Sequence, residues 1–120
     1  MKASEMMDEL NSLLSFLSTN GRCINEIGKC QYVDEHGLHA GCAVGRHLTE
    51  EEKKVWGEHE RENYGAVDYA TARSLLGAPQ FFKDWPRHMV SQLQAVHDAY
   101  GRPHFREEVD DFKEMARKYE

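Results

Sequence analysis

The chain has 120 residues, of which 40% are hydrophobic and 30% charged, with a formal net charge of −6 at pH 7. That length suits one domain over residues 1–120 with a single core, and the composition argues against disorder. The acidic balance lacks the footprint of a duplex nucleic-acid binder, and no apolar run approaches membrane-spanning length.

Met6, Met7, Leu10, Leu13, Leu14 and Leu17 fall on one helical stripe, so residues 4 to 20 read as an amphipathic helix with Ser4 as N-cap and Asn20-Gly21 as its stop. The run from Lys29 to Asp34 reads as a short strand, Glu35-His36-Gly37 as a turn, and Leu38 to Gly41 as a returning strand. G-C-A-V-G-R-H-L, from Gly41, then reads as the entry to a helix whose small residues permit close packing. Thr49 and Glu52 have the spacing of a capping box, opening a mostly solvated helix with Val55, Trp56 and His59 on its inner side. A short helix runs from about Asp68 to Leu76, stopped by Gly77 and Pro79. Pro86 opens a helix whose face carries Met89, Val90, Leu93, Val96, His97 and Tyr100. Gly101 and Pro103 break the chain before a last helix marked by Phe105, Val109, Phe112, Ala116 and Tyr119. The expected class is α+β: about five helices and a small antiparallel β-hairpin in the N-terminal third.

Chemistry concentrates in one segment, which holds Cys23, Cys30, His36, His39, Cys42 and His47 and so every cysteine of the chain. Three cysteines are an odd count, and with no signal-peptide core at the N-terminus a reducing, cytoplasmic location with free thiols is expected. His36-x2-His39 and His39-x2-Cys42 have the close spacing that zinc ligands use, so Cys30, His36, His39 and Cys42 form the candidate metal set. No C-x2-C knuckle accompanies them. The reading taken is therefore a chain without a cofactor, with zinc as the alternative and buried cysteines beside solvated histidines as the simplest account.

A cysteine nucleophile is the second chemical reading. Cys42 at a helix N-terminus would have its thiol pKa lowered by the dipole, with His97-Asp98 as one candidate base and His39 or His47 as another, so that Cys42, His97 and Asp98 form the candidate catalytic set. His97 and Asp98 are neighbours on a helix and diverge by about 100°, which argues against a triad in which Asp98 orients His97. His97 is also the polar residue on its apolar stripe, so it should be buried and hydrogen-bonded, a carbonyl or tyrosine being the ordinary partner. Arg46 and Arg22, with Lys29 and Arg73, are candidates for a small anion pocket. His39, Tyr32, Trp56, Tyr64, Tyr69 and Trp85 are candidates for ligand contact or stacking, against the alternative of core packing.

C-Q-Y-V-D-E-H-G, then G-C-A-V-G-R-H-L, later L-Q-A-V-H-D, and an F-x-x-x-V-x-x-F helix from Phe105 follow one another along the chain. This order resembles a loose group of small phage and bacterial proteins with a Cys…Asp-x-x-Gly…Cys-Ala-x-Gly core and a later His-Asp helix. It rests on Cys30, Asp34, Gly37, Cys42, Ala43, Gly45, His97 and Asp98, whereas Cys23 and the acidic helix near residues 50 to 62 depart from the pattern. The resemblance implies a phage-type accessory protein in the host cytosol, with an anti-defence role. It would bind a host protein or a small nucleotide signal rather than catalyse. A cysteine- or metal-dependent hydrolase using Cys42 and His97 is the alternative.

Overall fold

The computed structural model describes residues 1–25, 30–34, 41–63, 65 and 67–120. Five α-helices carry the fold: α1 (Ala3–Asn20), α2 (Glu50–Asn63), α3 (Tyr69–Leu76), α4 (Arg87–Ala99) and α5 (Phe105–Ala116). Short 3-10 turns at Gly45–His47, Gln80–Phe82 and Arg117–Tyr119 complete the regular structure of the described residues.

The helices follow from local chemistry. Met6, Leu10, Leu13 and Leu17 recur at helical spacing on α1 and are buried, each contributing about 1.5–3 kcal/mol of apolar transfer. The helix begins before Ser4: Lys2 takes the N-cap position without a side-chain bond, and Ser4 lies inside the first turn. Gly21 ends it at φ 70°, donating its N–H to the Leu17 carbonyl at 2.8 Å. The capping box forms as its spacing requires. The Glu52 amide donates to Thr49 Oγ1 at 3.2 Å, and the Thr49 amide to Glu52 Oε1 at 2.9 Å. Asp68 caps α3 through the Thr71 amide at 2.9 Å, which holds its carboxyl below the usual range. On α4 the stripe of Met89, Val90, Leu93, Val96 and His97 is buried, and this helix packs against α1, α3 and α5.

The expected α+β class is corrected: no strand occurs among the described residues, and the fold is mostly helical. The one antiparallel bridge among the described residues, Ile24 with Cys30, pairs Cys30 with the segment before it and not with the expected return strand, beside a bond from the Gln31 amide to the Cys23 carbonyl at 2.9 Å. The returning strand expected from Leu38 lies almost wholly outside the described residues. The physical reason for the missing ladder lies in α2. Glu60 is 4% exposed, and its carboxylate accepts the Tyr32 amide at 2.5 Å and the Val33 amide at 2.7 Å. Those donors would have gone to a partner strand; a side chain takes them instead. Val55, expected inside, is 50% exposed, and Glu60 holds the inner position on α2.

The helix expected to begin near Cys42 is only the 3-10 turn Gly45–His47. Its glycines do permit close packing. A Cβ on Gly45 would sit 1.6 Å from the Tyr32 carbonyl oxygen, and one on Gly41, at φ 113°, would sit 2.7 Å from the same atom.

Candidate functional site

The C-terminal half of α4 and the bridge residue Cys30 form a polar cluster. His97 is completely buried, and its Nε2 lies 3.1 Å from the Cys23 amide. A backbone N–H only donates, so Nε2 must accept, and the neutral ring carries its proton on Nδ1. That proton goes to Asp98 Oδ1 at 2.8 Å. Gln94, one turn earlier, donates from Nε2 to Cys30 Sγ at 3.1 Å and to Asp98 Oδ1 at 3.3 Å. Cys30 Sγ is 4.0 Å from His97 Nδ1. One ligand atom from each of Cys30, His97 and Asp98 lies within 4.8 Å of the others, so three residues capable of holding a metal ion converge here.

The pairing of His97 with Asp98 overturns the expectation from helix geometry. Their Cα–Cβ vectors diverge, yet the carboxylate, 49% exposed at the helix end, turns back to reach Nδ1. His97 is satisfied as a buried imidazole must be, by an amide donor and a carboxylate.

The Cys30 and Cys23 thiols are held in their neutral form. Interaction with the Cys42 sulfur, then burial, then the charge of Asp98 push the Cys30 thiol well above its ordinary range. Burial, followed by Cys42 and nearby carboxylates, raises Cys23 to about 12. With Nδ1 donating to Asp98 and Nε2 occupied by Cys23, His97 presents no lone pair to the Cys30 thiol. The cluster is hydrogen-bonded, without the nucleophile–base contact that activates a cysteine.

A cleft of about 470 Å³ opens over this cluster, and Cys30 and Asp98 line it. Its remaining walls include Arg22, the bridge residue Ile24, Arg102 and His104 in the turn between α4 and α5, and Glu108 on α5. The acidic groups are engaged within the protein. Asp98 accepts from His97 and Gln94, and Glu108 Oε2 accepts from Gln92 at 2.9 Å. Arg22 donates to the Asp98 carbonyl at 3.4 Å, placing a cation at the C-terminal end of α4. Among the described residues Arg102 and His104 form no ion pair, so Arg102 offers the cleft an uncommitted cation.

Of the other described residues singled out from the sequence, Cys42 has its sulfur beside that of Cys30, and the rest lie elsewhere. Cys42 is 0% exposed and accepts the Gly45 amide at 3.4 Å, with a three-residue 3-10 turn after it and no long helix dipole. Arg46 is committed to α1, where it pairs with Glu9, donates to Ser12 Oγ at 3.3 Å and covers the Phe16 ring. His47 joins the same Glu9 carboxylate at 2.7 Å and stacks on Phe81. Tyr32 and Trp56 are buried edge to face with each other, and the Tyr32 hydroxyl donates to the Val67 carbonyl at 2.7 Å. Trp85 and Tyr69 are core residues, and Arg73 donates to the Trp85 carbonyl at 3.3 Å. His36, His39, Lys29 and Tyr64 lie outside the described residues. Of the three basic candidates among the described residues, Arg22, Arg46 and Arg73, Arg22 lines the cleft.

Gln94, Arg102, His104 and Glu60 were not singled out from the sequence. Gln94 had a usable signal, because it stands three residues before His97 and four before Asp98 on one helix. Comparison with known protein families matches none of them, and searches of curated proteins and of solved structures find no match either. No helix of the described residues is long and apolar enough to cross a membrane.

Proposed function

We propose that the chain is a small binding protein that holds a compact anionic ligand, of the size and charge of a nucleotide, in the cleft between Arg22, Arg102 and His104. The observation that carries this reading is the cleft's charge. Its carboxylates are tied to neighbouring side chains, whereas Arg102 and His104 have no counter-ion among the described residues. A cavity of about 470 Å³ lies within the range of small-ligand sites. In keeping with the resemblance to small phage and bacterial proteins, the activity is sequestration of a nucleotide signal in the host cytosol. A host protein as partner has no comparable feature in its favour.

The test is thermal denaturation with inorganic phosphate, adenosine mono-, di- and triphosphates and a cyclic dinucleotide. Ligand at one hundred times its Kd stabilises by about 2.7 kcal/mol, a shift of several degrees. The shift should shrink strongly in Arg102→Ala. No shift with any of these anions at millimolar concentration would refute the reading.

A metal-dependent hydrolase using zinc is a second reading, favoured by the convergence of Cys30, His97 and Asp98 at the cleft. In this reading the metal supplies an activated water, and Arg22 and Arg102 hold the anionic substrate. It requires turnover, which release of phosphate from the same nucleotides would reveal.

A further inference from the structure

We propose that Cys30 Sγ, His97 Nδ1 and an Asp98 carboxylate oxygen bind a thiophilic divalent metal ion of the zinc class, and that loading the site unlatches Cys23 from α4. This inference names the ligands for the metal in the second reading and adds a conformational consequence. It does not depend on anion binding or turnover.

The geometry is close to that of a bound ion. Tetrahedral zinc separates a sulfur and a nitrogen ligand by about 3.5 Å, and a nitrogen and an oxygen ligand by about 3.3 Å. Here Cys30 Sγ and His97 Nδ1 are 4.0 Å apart, and His97 Nδ1 and Asp98 Oδ1 are 2.8 Å apart. The first pair must close and the second open, each by about half an ångström. Asp98 can make that shift, since its side chain is 49% exposed. Cys30 and Asp98 both line the cleft, so solvent or a cleft ligand can complete the coordination. The ligand types, thiolate, imidazole and carboxylate, suit zinc and its neighbours rather than magnesium or calcium. A second observation lies beside the cluster. The buried amide oxygen of Gln94 has no donor among the described residues, and water on a bound ion carries protons to donate.

The protons fix what else must change. Cys30 gives up its thiol proton to solvent and binds as thiolate. His97 now carries its proton on Nδ1, the atom that must take the metal, so the neutral ring loses that proton and gains one on Nε2. One proton therefore leaves per ion. Nε2–H then faces the Cys23 N–H, two donors at 3.1 Å with no acceptor between them, and that bond breaks. Losing it weakens metal binding by about ten- to a hundredfold, well short of abolishing a zinc site. The Cys23 amide becomes free to exchange with solvent.

The test titrates the untagged full chain, stripped of metal, with Co²⁺ and then Zn²⁺. Expected are one ion per chain, a thiolate-to-cobalt charge-transfer band displaced by zinc, and one proton released to a weakly buffered indicator. Hydrogen exchange at the Cys23 amide should rise about ten- to a hundredfold on loading. Cys30→Ser and Asp98→Ala should each lose stoichiometric uptake. Asp98→Ala changes a half-exposed side chain, so it keeps the test valid should Cys30→Ser fold poorly. Failure of the wild type to take up cobalt, or an unchanged band in Cys30→Ser, would overturn the site. Uptake with unchanged exchange at Cys23 would overturn the unlatching. The nucleotide-induced thermal shift of metal-free protein is untouched by any of these results, so the two readings fail separately.

Discussion

Glu60 offers the sharpest test of how this fold is held. Two effects oppose each other at its carboxylate. Burial disfavours the charge, whereas the amides of Tyr32 and Val33, at 2.5 and 2.7 Å, favour it, with a smaller contribution from Arg61. Burial prevails, pushing Glu60 from 4.5 up to about 7. Between those values the folded chain binds a proton that the unfolded chain has released. The contribution is therefore fully present below pH 4.5 and is lost as pH rises through about 7. At about 1.4 kcal/mol per pH unit, this interval amounts to about 3 kcal/mol. Other titrating groups are removed from the comparison by Glu60→Gln, which fills the same volume with a side chain that does not ionise. Urea denaturation followed by tryptophan fluorescence should be run on both proteins at several values from pH 4.5 to 8. The wild type should gain about 3 kcal/mol on the variant as pH falls across this range. A flat difference would show that the two amide bonds offset burial, and a wild type that loses ground on acidification that they outweigh it; either would refute the reasoning.

Two further substitutions probe how the segments around the cleft are seated. Gly45→Ala would drive a methyl to within 1.6 Å of the Tyr32 carbonyl oxygen, a backbone atom that cannot rotate away. It should destabilise by at least about 3 kcal/mol, visible as a loss of Tm or of soluble protein. Thr49→Ala removes the hydroxyl that accepts the Glu52 amide and should cost about 1 kcal/mol in urea denaturation. The nucleotide-induced thermal shift should survive Thr49→Ala, since that residue does not line the cleft.

The helices were legible because their signals are local. The α1 stripe, the Thr49–Glu52 box, the Asp68 cap and the α4 stripe each involve residues within a few turns of one another. The hairpin was misread because a period-two pattern of residue types around Cys30 to Asp34 names no hydrogen-bond partner, and burial there does not alternate: the neighbours Gln31 and Tyr32 are both buried. A carboxylate on α2, 28 residues beyond Tyr32, takes the donors, and no sequence window contains both. Part of the cluster was legible too. His97 stood out as the polar residue on an apolar stripe, and Cys30 was among the metal candidates. A search for ligands along the crowded segment does not reach His97 and Asp98, which Cys30 meets 67 and 68 positions away. Asp98 was discounted on helix angles, which describe where a side chain leaves the backbone and not where a flexible carboxylate ends.

One device explains both the missing hairpin and the position of the site. On either side of Cys30 the chain is held to the helices through its own amides: Cys23 donates to His97 on α4, and Tyr32 and Val33 donate to Glu60 on α2. A segment seated this way needs no partner strand. It brings Cys30 between its two anchors, against Gln94 and at the wall of the cleft. The two anchors differ in what can release them. Glu60 answers to protonation and burial, and it lies away from the cleft lining. His97 answers to whatever occupies Nδ1, because one ring cannot accept from Cys23 at Nε2 while remaining neutral and binding a metal at Nδ1. The histidine that fastens this segment to α4 is thus also the group through which metal chemistry at Cys30 and Asp98 would reach the fold, and the conflict is set by the tautomer alone.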